Sequence, residues 1–398
     1  MRLPAFAFLL MLAACQSHVS ERAPASAEAA SSIRFATYNT SLYSEQDGGL
    51  IARLQAGDDK ARNIAAVIQK QRPDILLLNE FDYDDAQRAA DIFQRDYLEA
   101  GQHGQAPVHY PYRYLAPVNT GVPSGMDLDN DGKIAGGNDA FGFGLHPGQY
   151  GMLVLSRYPI DSTAVRTFQH FLWKDLPGAM KPTDPKTGAA WYAPQVWPKL
   201  RLSSKSHWDV PVRTPLGTIH FLVDHPTPPV FDGPEDRNGA RNFDEIRLWA
   251  EYISTGDKPW LCDDAGHCGG LAADARFVIA GDHNADPVDG DGVPGAMRQL
   301  LEHPRVLDYP APSSEGAVVS ALAAGGANLR HKGPHANDTG DFGPQVGNLR
   351  LDYVLPSKGL SVLSSGVFWP RPGEPGADWI GATDHHMVWV DVTQENAH

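Results

Sequence analysis

The run Arg276-Phe277-Val278-Ile279-Ala280-Gly281-Asp282-His283-Asn284-Ala285-Asp286-Pro287 constrains this chain more than any other. Phe277 to Ala280 are apolar and β-favouring with no polar alternation, so the segment reads as a strand buried on both faces. Gly281 ends it, and Pro287 keeps it from resuming as a central strand. Asp282 and Asn284 stand two residues apart, and in extended backbone they project to the same side. A carboxylate and an amide leaving a buried strand together suit proton transfer from water and the holding of an anion. The same residue types also populate turns for purely local reasons.

Other apolar runs end the same way. Ile33 to Tyr38 leads into Asn39, Ile75 to Leu78 into Asn79-Glu80, and Thr218 to Val223 into Asp224-His225. Arg350 to Leu355 carries Asp352, and Met387 to Val392 follows Asp384-His385-His386. Met152 to Ser156 is a further strand. A glutamate at the end of a buried strand is costly unless paired or metal-bound. Between these runs, Asp59 to Gln71 reads as an amphipathic helix (Ile64, Val67, Ile68) stopped by Pro73. Asn242 to Ile253 puts Phe243, Ile246, Trp249, Ala250 and Ile253 on one helical face, and another helix is expected near Gly295 to Leu301. Residues 97–150 form a Gly/Pro-rich insertion, and 168–200 a Pro- and Trp-rich covering loop.

In their order and strand context these blocks resemble the endonuclease/exonuclease/phosphatase superfamily, the DNase I-like fold. The resemblance spans about residues 32–393: ATYN, LLLNE, VDHP, GDHN, LDYVL and TDHH. It implies an α/β four-layer sandwich, two mixed β-sheets packed face to face with helices outside. It also implies a site where the strand ends meet. Glu80 would ligate Mg²⁺ or Mn²⁺, with Asn39 and Asp384 completing the set. Asp282 would orient or deprotonate the attacking water, and Asn284 would hold a phosphoryl oxygen or the nucleophile. His385, as an imidazolium, would bind the phosphoryl group, and His225 would do likewise or protonate the leaving oxygen. Asp352 would orient a histidine or a ligand. Such a set needs no covalent nucleophile. Ser41 stands where several nucleases of this family carry an acid, and no Pro follows the Asp384-His385 pair.

The function implied is extracytoplasmic, metal-dependent hydrolysis of phosphate mono- or diesters. Cleavage of DNA or RNA is the runner-up, then phospholipid head-group cleavage, then a non-catalytic calcium-dependent binding module. The 398 residues carry 33 basic and 48 acidic side chains, a net charge of −15. That balance excludes a broad basic surface for phosphate backbones, though a metal can supply positive charge locally. Nucleic acid is therefore a possible but not favoured partner, and a monomer acting on a phosphate ester is expected.

Met1 to Ala14 read as a secretory signal, with Leu12-Ala13-Ala14-Cys15 as a lipobox. Cys15 would be lipidated, residues 15–31 would tether the domain to a membrane surface, and the protein would be exported to the periplasmic or cell-surface side. The remaining Cys262 and Cys268 then read as a local disulfide. Asp127, Asp129 and Asp131, followed by Gly132, match the first half of a calcium loop, with Asn138 or Asp139 near its last position. A structural Ca²⁺ site and a solvated acidic turn both fit.

Overall fold

Alternate residues along the central strands enter different cores, and this dictates the layers. The computed structural model describes Met1 and residues 32–395, so the readings made for residues 2–31, Cys15 included, lie outside the described residues. Its strands are β1 (Ile33–Leu42), β2 (Ile75–Phe81), β3 (Tyr112–Tyr114), β4 (Met152–Ser156), β5 (Arg166–Thr167), β6 (His207–Thr214) and β7 (Gly217–Asp224). Then come β8 (Arg276–Asp282), β9 (Gly340–Asp341), β10 (Asn348–Leu349), β11 (Asp352–Pro356), β12 (Leu360–Val367) and β13 (Val388–Gln394). One sheet has the order β12-β13-β1-β2-β4-β3 and the other β11-β8-β7-β6-β5. Each is mixed, because β1/β2 and β7/β8 are parallel and their other pairings antiparallel.

Phe35, Ile75, Leu77 and Val154 of the first sheet meet Phe221, Val223, Val278, Ala280 and Val354 of the second in one buried cluster. Their neighbours Ala36, Tyr38, Leu76, Leu78 and Leu153 face the other way, onto helices α1 (Gly49–Ala56), α2 (Asp59–Gln71) and α3 (Arg88–Ile92). Leu222, Phe277, Ile279, Tyr353 and Leu355 likewise turn outward onto α4 (Arg237–Ile253) and the one-turn α5 (Arg298–Leu301). The result is helix, sheet, sheet, helix, which explains why the runs had to be apolar on both faces. Among the described residues, no helix is long and apolar enough to cross a membrane.

Several boundaries differ from the sequence pattern. Helix α2 matches it, capped by Asp58, whose carboxylate accepts from Ala61 N. Strand β2 runs on through Asn79 and Glu80, β11 begins only at Asp352, α4 starts five residues before Asn242, and the expected 295–301 helix shrinks to one turn. Strand β6 escapes an apolar search because His207 and Asp209 interrupt it. Both are buried, His207 3.2 Å from Asp224 and Asp209 bound by Tyr252 Oη at 2.6 Å. Helix α6 (Glu315–Ala324) is apolar on all sides and so shows no amphipathic face, and strand β12 is interrupted by serines and a glycine, so neither announces itself.

Cys262 and Cys268 are bonded to each other, which leaves no thiolate pair for zinc. The loop they close also anchors the edge strand β5: Asp263 pairs with Arg166 at 2.6 Å, and Asp264 accepts from Thr167, Gln169 and His170. Replacing both cysteines by serine should lower unfolding free energy by about 2 kcal/mol through the loss of loop-closure entropy. Denaturant unfolding of the double variant checks this, and an unchanged midpoint would contradict it.

Candidate active site

Three strands that point at one edge of the sandwich leave it through left-handed backbone on residues other than glycine. Ser41 follows the end of the β1/β2 register at φ 46°, Glu80 sits near the end of β2 at φ 56°, and Asn284 lies just past β8 at φ 51°. Each such residue costs about 1 kcal/mol or more. The cost is borne where side chains must be aimed away from the pleat. Asn284 in particular is not extended, so the same-side projection expected for Asp282 and Asn284 does not hold. Instead Asn284 N donates to Asp282 Oδ1 at 2.9 Å, and its side-chain amide donates to Pro226 O at 3.1 Å.

Asp282 is the centre of the edge and is 1% exposed. Its Oδ2 accepts from Asn39 Nδ2 at 3.0 Å and lies 3.4 Å from His225 Nε2 and 3.5 Å from His385 Nε2. Its own N–H donates to Asn79 Oδ1 at 3.2 Å. Burial works against this carboxylate, but His385, His225 and the Asn39 hydrogen bond outweigh it and hold its pKa below the usual carboxylate range. A carboxylate so stabilised orients water well but is a weak proton acceptor. Of the two roles expected for Asp282, the geometry supports orienting.

His385 bridges two acids. Its Nδ1 lies 2.8 Å from Asp352 Oδ2, which also accepts from Thr339 Oγ1 at 2.8 Å. Burial opposes a charge on His385, yet Asp352 and Asp282 together hold its pKa well above the ordinary value. The next residue goes the other way: His386 is buried against the Trp369 ring at 3.6 Å, and burial with the His385 charge pushes its pKa well down.

Glu80 is half-buried, and among the described residues its carboxylate has no hydrogen-bond or ion-pair partner. Asp384 is 53% exposed, 4.0 Å from His385 Nε2, and accepts from Thr383 Oγ1 at 3.3 Å. Both acids are within electrostatic reach of Tyr43 and Lys60. Those two side chains, with Ser41 and Arg53, line a cleft of about 460 Å³. Asn39 is committed on both ends, since its Oδ1 accepts from Ser41 N at 3.1 Å. In the insertion, the acids that converge are Asp127, Asp129 and Asp139, with oxygens within 4.8 Å of one another. Asp131 does not join them; its carboxylate binds Lys133 N at 2.7 Å and Nζ at 3.3 Å.

Two buried residues at this edge receive no role from the sequence. Asn79 accepts from Asp282 N and donates to Asp224 O at 3.3 Å, tying the first sheet to the second. An amide inside an otherwise apolar strand must find such partners, and that rule could have singled it out. Lys205, in the bend before β6, is 6% exposed. His283, inside the GDHN run, is turned inward, 3.4 Å from Asp224 Oδ1.

Comparisons with known proteins agree with this layout. The model of the Endonuclease/Exonuclease/phosphatase family matches residues 36–385. The chain is similar to an endonuclease/exonuclease/phosphatase from Beutenbergia cavernae DSM 12333, with 18% identity over 92% of this chain and 72% of that one, TM-score 0.51. It is also similar, at TM-score 0.45 and 18% identity over 91% and 99% of the two chains, to sphingomyelinase C from Streptomyces griseocarneus. A beta toxin mutant from Staphylococcus aureus with bound magnesium ions shares 11% identity over 92% and 100%, TM-score 0.43. At these identities the likeness concerns the fold alone. No curated protein sequence matches the chain.

The opposite environments of the two adjacent histidines generate a test. NMR titration of the metal-free protein should find His385 still protonated above the ordinary histidine range and His386 neutral below it. Asp352→Asn removes a negative neighbour, so the His385 pKa should fall. An unmoved His385 titration would contradict the bridge.

Proposed function

Because the chain belongs to the endonuclease/exonuclease/phosphatase family, we propose that it is a metal-dependent hydrolase of phosphoric esters that works by water attack. The observation that carries the reading is the buried Asp282 carboxylate held between His225 and His385. Asp282, kept ionised, orients the water. His385, kept protonated by Asp352, offers its Nε2–H to a phosphoryl oxygen. His225 lies on the other side of Asp282, placed to hold the phosphoryl group or to protonate the leaving oxygen. Asn284 keeps one amide N–H and its oxygen for the water or the ester.

The donor set fits a hard divalent ion, Mg²⁺ or Mn²⁺, held by Glu80 and Asp384, with the second lone pair of Asn39 Oδ1 completing the set. Glu80 supports this by having no protein partner among the described residues. Asp282, Asp352 and His385 also bring ligand-type atoms within 4.8 Å. There, however, the His385 Nδ1–H already joins two of them, and an ion would have to displace a stabilised imidazolium. When bound, the ion supplies positive charge to the phosphoryl oxygens.

The acidic surface favours a small or extracellular phosphate ester over nucleic acid. The placement that goes with this reading is a monomer, exported and held at a membrane surface by a lipid on Cys15. The acidic loop is read as a structural Ca²⁺ site formed by Asp127, Asp129 and Asp139, supported by the buried Asp127 Oδ1, which has no hydrogen-bond partner.

Hydrolysis of a chromogenic phosphodiester and the matching monoester, with Mg²⁺, Mn²⁺ or Ca²⁺ and then chelator, tests the reading. Activity should need metal and fall roughly 10³-fold in Asp282→Ala. A folded protein that turns over neither ester, nor DNA, RNA or phospholipid, with any of these ions would leave only a binding role. Glu80→Ala should abolish turnover while Ca²⁺ still raises the melting temperature. Asp127→Asn should remove that rise and leave turnover largely intact.

A further inference from the structure

A buried cation at the site edge is left over by the roles above. Lys205 sits in the bend that precedes β6, and its backbone is pinned on two sides. Its carbonyl accepts from Asn119 N at 2.9 Å. The preceding Ser204 N donates to Glu245 Oε1 at 2.5 Å, and Thr227 N, beyond His225, donates to the other oxygen of Glu245 at 2.6 Å. The side chain is buried, with 6% of the residue exposed. Among the described residues its ammonium makes no hydrogen bond and no ion pair.

With no protein acceptor, the three donors of this ammonium are open to a ligand, and the bend that carries it lies beside the site, since Ser204 Oγ donates to His225 O at 3.4 Å. Burial lowers the pKa of Lys205, while Glu245, Glu80 and Asp282, in that order, pull it back up. The ammonium therefore lies within electrostatic reach of both the expected metal ligand and the water-orienting acid. Glu245 does not account for it, since among the described residues the two form no ion pair, and its oxygens accept from the backbone N–H groups of Ser204 and Thr227. Ser206 Oγ, next in the chain, and His225 Nδ1 are also buried with no hydrogen-bond partner. An ammonium only donates and the Ser206 hydroxyl can donate, which fits an anion rather than a cation.

We propose that Lys205 binds the substrate, its ammonium taking a non-bridging oxygen of the phosphoryl group that His385 and His225 hold. This rests on the phosphoester reading and adds to it a residue outside the blocks that resemble the family. A cation there meets charge that grows in the transition state, so it acts on turnover more than on the fold.

The test uses the full chain with the metal that supports activity, and compares Lys205→Met and Lys205→Arg. Lys205→Met should lower kcat/KM about 100-fold and weaken binding of inorganic phosphate, measured by calorimetry, at least about 10-fold. Lys205→Arg should recover part of both, and the metal affinity and melting temperature of Lys205→Met should match the parent. Unchanged kcat/KM and phosphate affinity in Lys205→Met would overturn the proposal. So would a loss fully explained by weaker metal binding. If Lys205→Met does not fold, the parent decides. Phosphate should protect Lys205 from an amine-acylating reagent, read by peptide mass spectrometry, and an unprotected Lys205 would overturn the proposal. Phosphate bound through Lys205 by a protein that turns over no ester would sink the phosphoester reading alone. Ester turnover untouched by Lys205→Met would sink the Lys205 assignment alone.

Discussion

Everything at the working edge depends on keeping one ionised carboxylate, Asp282, inside the molecule. A lone buried carboxylate is strongly unfavourable, so it has to be met by donors from several directions. Asn39 comes from the first sheet, His225 from the turn after β7, His385 from the segment before β13, and the backbone N–H of Asn284 from the strand's own exit. No single element could deliver all four. Two sheets facing each other can, because their strand ends converge at a common edge. The site and the sandwich are therefore one constraint: the inter-sheet core sets the spacing at which these side chains meet.

The polar shell around that carboxylate is layered. Asn79 reaches from the first sheet to the backbone of Asp282 and Asp224. Asp224 in turn lies beside both His207 and His283. Thr339 and Asp352 fix the ring of His385 from behind. Such a shell locks rotamers before any ligand arrives, which is how positioning and charge stabilisation are made without reorganisation. Outside the shell stand Glu80 and Asp384, one without a hydrogen-bond or ion-pair partner among the described residues and the other half in solvent. The contrast between Asp282, met by donors on several sides, and Glu80, with no partner among the described residues, supports the proposed division into an acid that orients and an acid open to a metal ion.

The net charge of −15 describes the whole surface, not the edge. There, two acids raise the pKa of His385 against burial, and Lys205, its pKa lowered chiefly by burial, has three acids in electrostatic reach. A protein with an acidic exterior can hold an anion in this way because the low dielectric around buried groups makes a few local cations outweigh distant, screened carboxylates.

Much of this was legible in the residues. Apolar runs without alternation had to be strands covered on both faces, and their polar ends in fixed order were enough to point to the fold and to Asn39, Glu80, His225, Asp282, Asp352, Asp384 and His385. Helix α2 could be read from its apolar stripe and from Pro73, because helical periodicity and proline act locally. What the chain could not reveal depends on distant partners. Strand β6 is a strand because His207 and Asp209 find Asp224 and Tyr252 far away in sequence. Asn284 turns out of line because Asp282 and Pro226 claim its donors. Asp139 rather than Asp131 completes the acidic cluster because the loop folds back. Local pattern determined which segments must be buried and which side chains leave them. Only the packing of one sheet on the other decided which of those side chains share a charge, since burial and pairing are properties of the assembled edge.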